Sequence, residues 1–147
     1  MENERKYWLC ITIGEYLGIC INESLWGVHK GYKSILEETN IGDKIIFYVA
    51  AKRTDSDRAL KHGSSFLLGT FEITTNTKET PSNIKWSQEF PFCVSINRIE
   101  KIEKKIRLVS LSEILRISPR DLGIRLEGED MIELIKEQFE YLKNNLY

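Results

Sequence analysis

The run Tyr7–Ile13 (YWLCITI) constrains the fold of this chain more than any other feature. Almost all of its residues are apolar, and its β-branched and aromatic side chains favour a strand over a helix. A strand that is apolar on both sides must be buried on both faces, which places it inside a sheet rather than at an edge. We therefore expect the core to form around this strand.

Further strands and helices are predicted from periodicity and turn residues. The stretch 66–74 alternates in the manner of a half-buried strand, and in the strand 105–109 we expect Ile106 and Leu108 to point inward. The spacing of Ser110 and Glu113 is that of a capping box and predicts the start of a short helix. The predicted strands after the first are 44–51, 66–74, 90–97 and 105–109. The predicted helices are one or two turns in 15–24, a helix over about 30–38 with Val28 on its apolar face, and a closing helix over about 129–144.

This order of elements predicts an α+β fold. Short strands separated by turns bury both faces of a small sheet only if the sheet curls. We expect a partly closed, mixed β-barrel of about five to six strands, flanked by short helices and a C-terminal helix. The chain has 147 residues, which fits one domain.

Charge and composition exclude several classes of protein. The net charge is -1, from 21 Lys+Arg and 22 Asp+Glu, so a nucleic-acid partner would have to be bound by a local patch rather than by bulk charge. No apolar run reaches the ~18 residues of a membrane span. The charged N-terminus lacks a signal-peptide core, and we expect a cytoplasmic protein without membrane contact, as a monomer or weak homodimer.

The cysteines predict neither disulfides nor a metal site. Cys10, Cys20 and Cys93 are odd in number and form no CxxC pair, so we expect buried reduced thiols and no metal. Nothing resembles a nucleophile elbow or a phosphate-cradling glycine loop, and no cofactor or catalytic residue is predicted. His29 has no catalytic partner at a recognisable spacing, and we expect it to lie at the surface or to cap a helix, although it is placed to hydrogen-bond a ligand.

Five stretches resemble the EVE domain in their order and spacing. This family belongs to the PUA-like superfamily and is a distant relative of the YTH domain. The resemblance covers about residues 6–142. The stretches are Tyr7-Trp8-Leu9, Trp26-Gly27-Val28, Gly42 to Val49, Leu68 to Ile73, and Phe90 to Val94.

The resemblance implies non-catalytic binding of DNA or RNA through a modified base. In YTH domains an aromatic cage holds a methylated adenine, and Trp26 matches the tryptophan that forms one wall of it. Thr12 lies where those domains carry a polar residue at the end of the first strand. Trp86 and Phe90 are the candidates for the later aromatic positions of the cage.

The residues themselves support a base pocket but leave alternatives open. Trp26 offers a face for stacking, while Tyr48, Thr12 and the backbone of Gly27 and Val28 offer contacts to a base edge. Trp26 is equally a candidate for a core or rim aromatic. Successive side chains of the strand 44–51 point in opposite directions, so its sequence does not decide whether Tyr48 or its neighbours line the pocket.

Phosphate contacts are predicted from lysines and arginines beside this segment. Lys30 and Lys33 follow Trp26, and Lys52 and Arg53 open a polar loop that also contains aspartates. The alternative is a solvated loop. A second basic patch with the same two interpretations consists of Lys104, Lys105 and Arg107.

Two other functions remain open at the level of sequence. The near-zero net charge also suits a barrel that binds a small molecule or a protein and no nucleic acid. An enzyme related to the ASCH domains, another PUA-like family, would carry a glycine, lysine, glutamate and arginine at fixed spacing. The segment from Gly27 to Lys30 lacks the glutamate and arginine that should follow it.

Overall fold

The computed structural model describes residues 5–50 and 65–144, and within them one mixed sheet of seven strands. Along the sheet the order is β2-β6-β4-β3-β1-β7, and the short β5 pairs with β6. β1 and β3 run parallel, and the other neighbours run antiparallel. The strands are β1 Tyr7–Ile13, β2 Leu25–Val28, β3 Lys44–Ala50, β4 Phe66–Ile73, β5 Lys78–Glu79, β6 Phe92–Lys105 and β7 Met131–Leu134.

Helices pack on both faces of this sheet, so the prediction of an α+β fold is confirmed. In the described residues they are α1 Gly14–Glu23, a 3₁₀ turn Lys30–Tyr32, α2 Lys33–Glu37, α3 Leu108–Leu115, α4 Pro119–Gly128 and α5 Lys136–Asn144. None of the helices in residues 5–50 and 65–144 has the length and apolarity needed to cross a membrane.

Strand β1 lies between β3 and β7 and is buried on both faces, as predicted. Trp8 and Cys10 contribute to a core that β2, β3, β4, α1 and α2 share. Leu9 points to the other face, into a second core beneath α3, α4 and α5. The two cores explain why the sequence of β1 shows no alternation of apolar and polar residues.

The sheet curls until its two ends meet without pairing. β2 and β7 are the last strands at opposite ends of the order. His29 directly follows β2, and its backbone N–H donates to Asp130 Oδ2, directly before β7, at 2.7 Å. A side chain rather than a strand ladder therefore bridges the gap, and the expected partly closed barrel is confirmed. We call this contact the seam.

The predicted strand 105–109 and capping box are wrong. One long strand, β6, runs from Phe92 to Lys105 because it pairs with β4 along most of that length. Helix α3 then begins at Leu108, with Arg107 at its N-cap and no side-chain capping bond. Ile106 is buried as expected, but Leu108 is exposed on the first turn of this helix.

The start of the predicted closing helix is also wrong. Residues Met131–Leu134 form β7 against β1, and the helix begins at Lys136. Met131, Ile135 and Phe139 fit a helical period, but Ile135 is exposed, and the pairing with β1 decides the structure. Pro119 is the first residue of α4, where the Ser118 hydroxyl accepts from the Asp121 N–H.

Two local irregularities change which faces are buried. A register shift between Gly69 and Phe71 breaks the expected alternation of β4, so Leu68 joins Phe71 in the first core and Leu67 enters the second. The segment before the predicted helix 30–38 is the strand β2, and Val28 is fully buried there rather than on a helix.

A buried carboxylate holds β1 against the turn before β3. The turn before β3 contains Gly42, at a φ of 99°. Asp43 is 0% exposed and accepts from the Lys6 N–H at 3.0 Å, the Trp8 indole N–H at 3.1 Å and the Asn40 N–H at 2.9 Å. Hydrogen bonds from three donors are what makes burial of this charge tolerable.

We expect Asp43→Ala to lower the free energy of unfolding by about 3 kcal/mol, because it leaves buried donors without an acceptor. Urea denaturation measures the change. Glu113→Ala, at an exposed carboxylate of α3, is the matched control and should stay within about 0.5 kcal/mol of wild type. Equal midpoints for the two variants would contradict the structural role of Asp43.

Candidate binding pocket

A pocket of about 180 Å³ lies at the seam, between the end of β2 and the segment that leads into β7. Trp26 and Trp86, each 3% exposed, form its buried part, and Glu89 and Glu127 lie at its exposed rim. An enclosed cavity of ~150 Å³ admits benzene. This pocket therefore has room for one flat ring system.

Five of the predicted base-binding residues line this pocket, although they come from three separate segments. Thr12 is near the end of β1, Trp26 and Gly27 are in β2, and Trp86 and Phe90 lie in the turns between β5 and β6. The curl of the sheet brings these segments together.

The other predicted site residues do not line the pocket. Val28 points into the first core, and Tyr48 points into the second core, on the opposite face of the sheet. Neither Tyr48 nor Phe47 of β3 lines the pocket, and Phe47 packs in the first core against Trp26, at 5.4 Å between ring centroids. Lys30 and Lys33 are exposed and do not line the pocket.

Part of the predicted phosphate-binding set lies outside the described residues. This applies to Lys52 and Arg53 and to the polar loop that they open. Their contribution stays a prediction.

Aromatic rings surround Phe90 on three sides. Its ring centroid is 4.5 Å from His29, 5.1 Å from Tyr16 and 5.6 Å from Trp86, and the last two contacts are edge-to-face. Such contacts fix ring orientation because the positive edge of one ring meets the negative face of another. The pocket wall is therefore held in place before any ligand enters.

Gly27 lets Trp86 lie against the backbone of β2. A Cβ atom at Gly27 would overlap the ring of Trp86 and come within 3.0 Å of Phe90 Cβ. The indole ring of Trp86 thus occupies the space that the Cβ atom of any other residue at position 27 would fill. This close approach is the physical reason for a glycine beside Trp26.

Two buried indole N–H groups are left without a partner. Nε1 of Trp26 and Nε1 of Trp86 have no hydrogen-bond acceptor among the described residues. A buried donor without an acceptor costs roughly 1–3 kcal/mol. Both side chains line the pocket, so a ligand with acceptor atoms would be able to recover part of this cost.

His29 and two carboxylates form the polar side of the mouth. Asp130 is buried and holds the His29 Nδ1 at 2.7 Å in addition to the backbone N–H. Glu89 Oε2 is 3.6 Å from His29 Nε2, and Glu89 Oε1 accepts from the Tyr16 hydroxyl at 2.6 Å. These bonds tie α1, β2, the turn before β6 and the start of β7 into one rim.

The end of α4 adds two more carboxylates. Glu127 and Glu129 line the pocket, and Arg125 binds Glu129 through two hydrogen bonds of 2.7 and 3.0 Å. The lining thus contains four carboxylates and, among the described residues, no lysine or arginine. The mouth is acidic.

Cys20, in the pocket wall, is unreactive at neutral pH. Burial raises the pKa of the Cys20 thiol to about 12, so at neutral pH it is a thiol and not the nucleophilic thiolate. Burial likewise raises the pKa of Cys10 and of Cys93. All three are free and buried, which confirms the prediction of reduced buried thiols.

The sequence did not reveal the acidic side of the site. Asp130 and Glu129 were assigned to a helix start, so their place beside His29 was missed. The signal that would have found them is the apolar-polar-apolar order of Ile132, Glu133 and Leu134, which is compatible with a strand after Asp130. Tyr16 and Glu89 carried no recognisable signal.

Comparison with known proteins gives a consistent result along the whole chain. The EVE domain family model matches residues 6–144. A UPF0310 protein of Pyrococcus abyssi is 23% identical over 146 residues, covering 96% of this chain and 99% of the relative. A UPF0310 protein of Pyrococcus horikoshii is 25% identical over 146 residues, covering 95% and 98%.

The fold is shared with solved YTH domains. The YTH domain of the Zygosaccharomyces rouxii MRB1 protein, solved in complex with N6-methyladenosine RNA, superimposes with a TM-score of 0.59. The alignment is 13% identical and covers 97% of this chain and 86% of that one. The likeness confirms the PUA-like α+β architecture.

We expect Gly27→Ala to displace Trp86 from the wall, because the added methyl group occupies the space of the indole ring. Near-UV circular dichroism should lose tryptophan signal, and stability should fall by about 1–3 kcal/mol. Gly18→Ala, in α1 with nothing within 4 Å of the new Cβ, is the control. It should instead raise stability by about 0.5–1 kcal/mol. Unchanged spectra for Gly27→Ala would contradict the close approach.

We expect the raised pKa of Cys20 to make stability depend on pH above about 9. Below the ordinary thiol pKa of 9.0 the thiol is protonated in both the folded and the unfolded state, so it contributes no pH dependence. Between 9 and about 12 only the unfolded state ionises, so stability falls as pH rises. Cys20→Ala should reduce that slope by about 1.4 kcal/mol per pH unit in urea titrations. Parallel curves would contradict it.

Proposed function

The chain belongs to the EVE domain family, and from this premise we propose that it is a nucleic-acid-binding module that holds one modified base in its aromatic pocket. The modified base enters at the seam and is bound without being chemically changed. The observation that carries this proposal is the convergence of Trp26, Trp86 and Phe90 on one pocket large enough for a single ring system.

The pocket offers both kinds of contact that a base requires. Indole and phenyl faces stack on any base, at roughly 1–3 kcal/mol each. The unpartnered indole N–H groups of Trp26 and Trp86 are suited to acceptor atoms on a base edge. Thr12 adds a polar group to the same wall. Specific recognition of RNA commonly combines these contacts with an unpaired base.

The fold supports the same conclusion by analogy. The Zygosaccharomyces rouxii YTH domain carries N6-methyladenosine RNA on the architecture that this chain shares. A shared fold does not imply a shared ligand. The proposal therefore depends mainly on the aromatic walls of this pocket.

The strand is proposed to cross the surface beside the mouth. Lys30 and Lys33 are exposed on the 3₁₀ turn and α2, immediately after the pocket residues of β2. With Lys52 and Arg53 they are the candidates for contacts to phosphate. Such contacts position a strand and weaken with salt without selecting a base.

We expect Phe90→Ala to weaken binding of the modified base about tenfold or more, because stacking on the wall is lost. Tryptophan fluorescence quenching measures it, with each plain nucleoside paired with its methylated form, and with short single strands in low and high salt. Phe90 is only half-buried, so the variant is expected to fold, which circular dichroism checks. Chromatography of the nucleosides afterwards should show no turnover.

Tyr141→Ala is the matched control. Tyr141 is an exposed aromatic residue of α5 and does not line the pocket, so its removal should leave quenching unchanged. Equal binding by wild type and Phe90→Ala would contradict the pocket assignment. Salt-sensitive binding of every strand alike would mean a backbone binder without a base site.

A further inference from the structure

The charge of the pocket mouth restricts which base the pocket accepts. Four carboxylates line the same cavity as the aromatic walls. A neutral base gains little from them, and a phosphate group is repelled by them. The arrangement therefore favours a ligand that brings positive charge into the pocket.

The carboxylates are only partly neutralised by their neighbours. Arg125 pairs with Glu129 from outside the lining. His29 lies between Asp130 and Glu89, at 2.7 and 3.6 Å, and supplies at most one positive charge to the two. Glu127 belongs to the same rim. Among the described residues, Asp130 and Glu89 share the single positive charge that His29 is able to supply, so this pair of carboxylates keeps an excess of negative charge.

The aromatic walls favour positive charge for a separate reason. A cation over an aromatic face is attracted by the negative charge of the ring face, and tryptophan is the best partner. Trp26 and Trp86 are buried, where this attraction is strengthened by the loss of water. The aromatic rings and the carboxylates thus both favour a positively charged ligand.

The indole N–H groups add a second requirement. They donate hydrogen bonds, so the ligand must also carry an acceptor, such as a ring carbonyl oxygen. The carboxylates accept, so the ligand should also present N–H donors. A simple alkylammonium ion satisfies the charge but not the acceptor.

We propose that the pocket selects a nucleobase that is cationic because one of its ring nitrogens is methylated. A purine such as 7-methylguanine combines this charge with a carbonyl acceptor and N–H donors on one edge. The inference rests on the proposed base-binding function and narrows it to a chemical class. Neutral methylated bases are the weaker ligands of this site.

The experiment compares nucleosides that differ in charge, using isothermal titration calorimetry on the full chain. 7-Methylguanosine is compared with guanosine, and 1-methyladenosine with its neutral isomer N6-methyladenosine. Free nucleosides carry no phosphate, so only the base and sugar are tested. We expect each charged form to bind about tenfold more tightly than its partner, with the advantage shrinking as salt increases.

Glu89→Gln tests the source of the selectivity. Glu89 is exposed, and glutamine keeps an acceptor for the Tyr16 hydroxyl. The variant should weaken binding of the charged nucleosides about five- to tenfold and weaken binding of the neutral ones by a clearly smaller factor, and an equal loss for both would contradict the charge selection. Glu113→Gln removes the same charge from α3, away from the pocket, and should change neither.

The outcomes separate the two levels of the proposal. Equal or tighter binding of N6-methyladenosine would overturn the charge selection and leave the base-binding function standing. Binding of no nucleoside would overturn both. Binding of a trimethyllysine peptide in place of any nucleoside would also overturn both, and would identify a cation site for protein ligands.

Discussion

The contact between His29 and Asp130 is the constraint on which the site depends. A sheet with two free ends exposes unpaired backbone groups, and here those ends approach each other without forming a ladder. One carboxylate takes the place of the missing strand pairing by accepting from the backbone and the ring of His29. The gap that remains beside it is the pocket. Both the incomplete closure of the barrel and the presence of the pocket thus result from the missing pairing between β2 and β7.

The pocket keeps its shape at some cost in stability. Two buried indole N–H groups lack acceptors among the described residues, and several carboxylates crowd one rim. Proteins usually satisfy buried donors and separate like charges, and departures from this are concentrated at functional sites. The rest of the fold compensates. The bonds to Asp43 fix the base of β1, and two hydrophobic cores cover both faces of the sheet.

Much of the fold follows from sequence wherever a pattern allows one interpretation. The apolar run of β1 is too short to be interpreted as a helix. The turn at Gly42 requires a residue that tolerates positive φ. Residues 129–135 satisfy both helical and strand periods, and only pairing with β1 decides between them. The bulge in β4 is invisible in sequence because it depends on its partner strands. The acidic residues of the pocket were missed for the same reason, because their position depends on the pairing of β7 with β1. The aromatic residues of the pocket were predicted.

The seam also joins parts of the chain that are synthesised far apart in time. Asp130 follows His29 by 101 residues, whereas Trp26, Trp86 and Phe90 all precede α3. A nascent chain that has emerged only as far as α3 has its aromatic residues but lacks the carboxylate that joins the ends of the sheet. Such long-range closure is slow because the chain must search a large loop before any contact rewards it. The pocket is therefore among the last parts of the molecule to form. A growing chain has no complete pocket for a ligand to enter until Asp130 has been added.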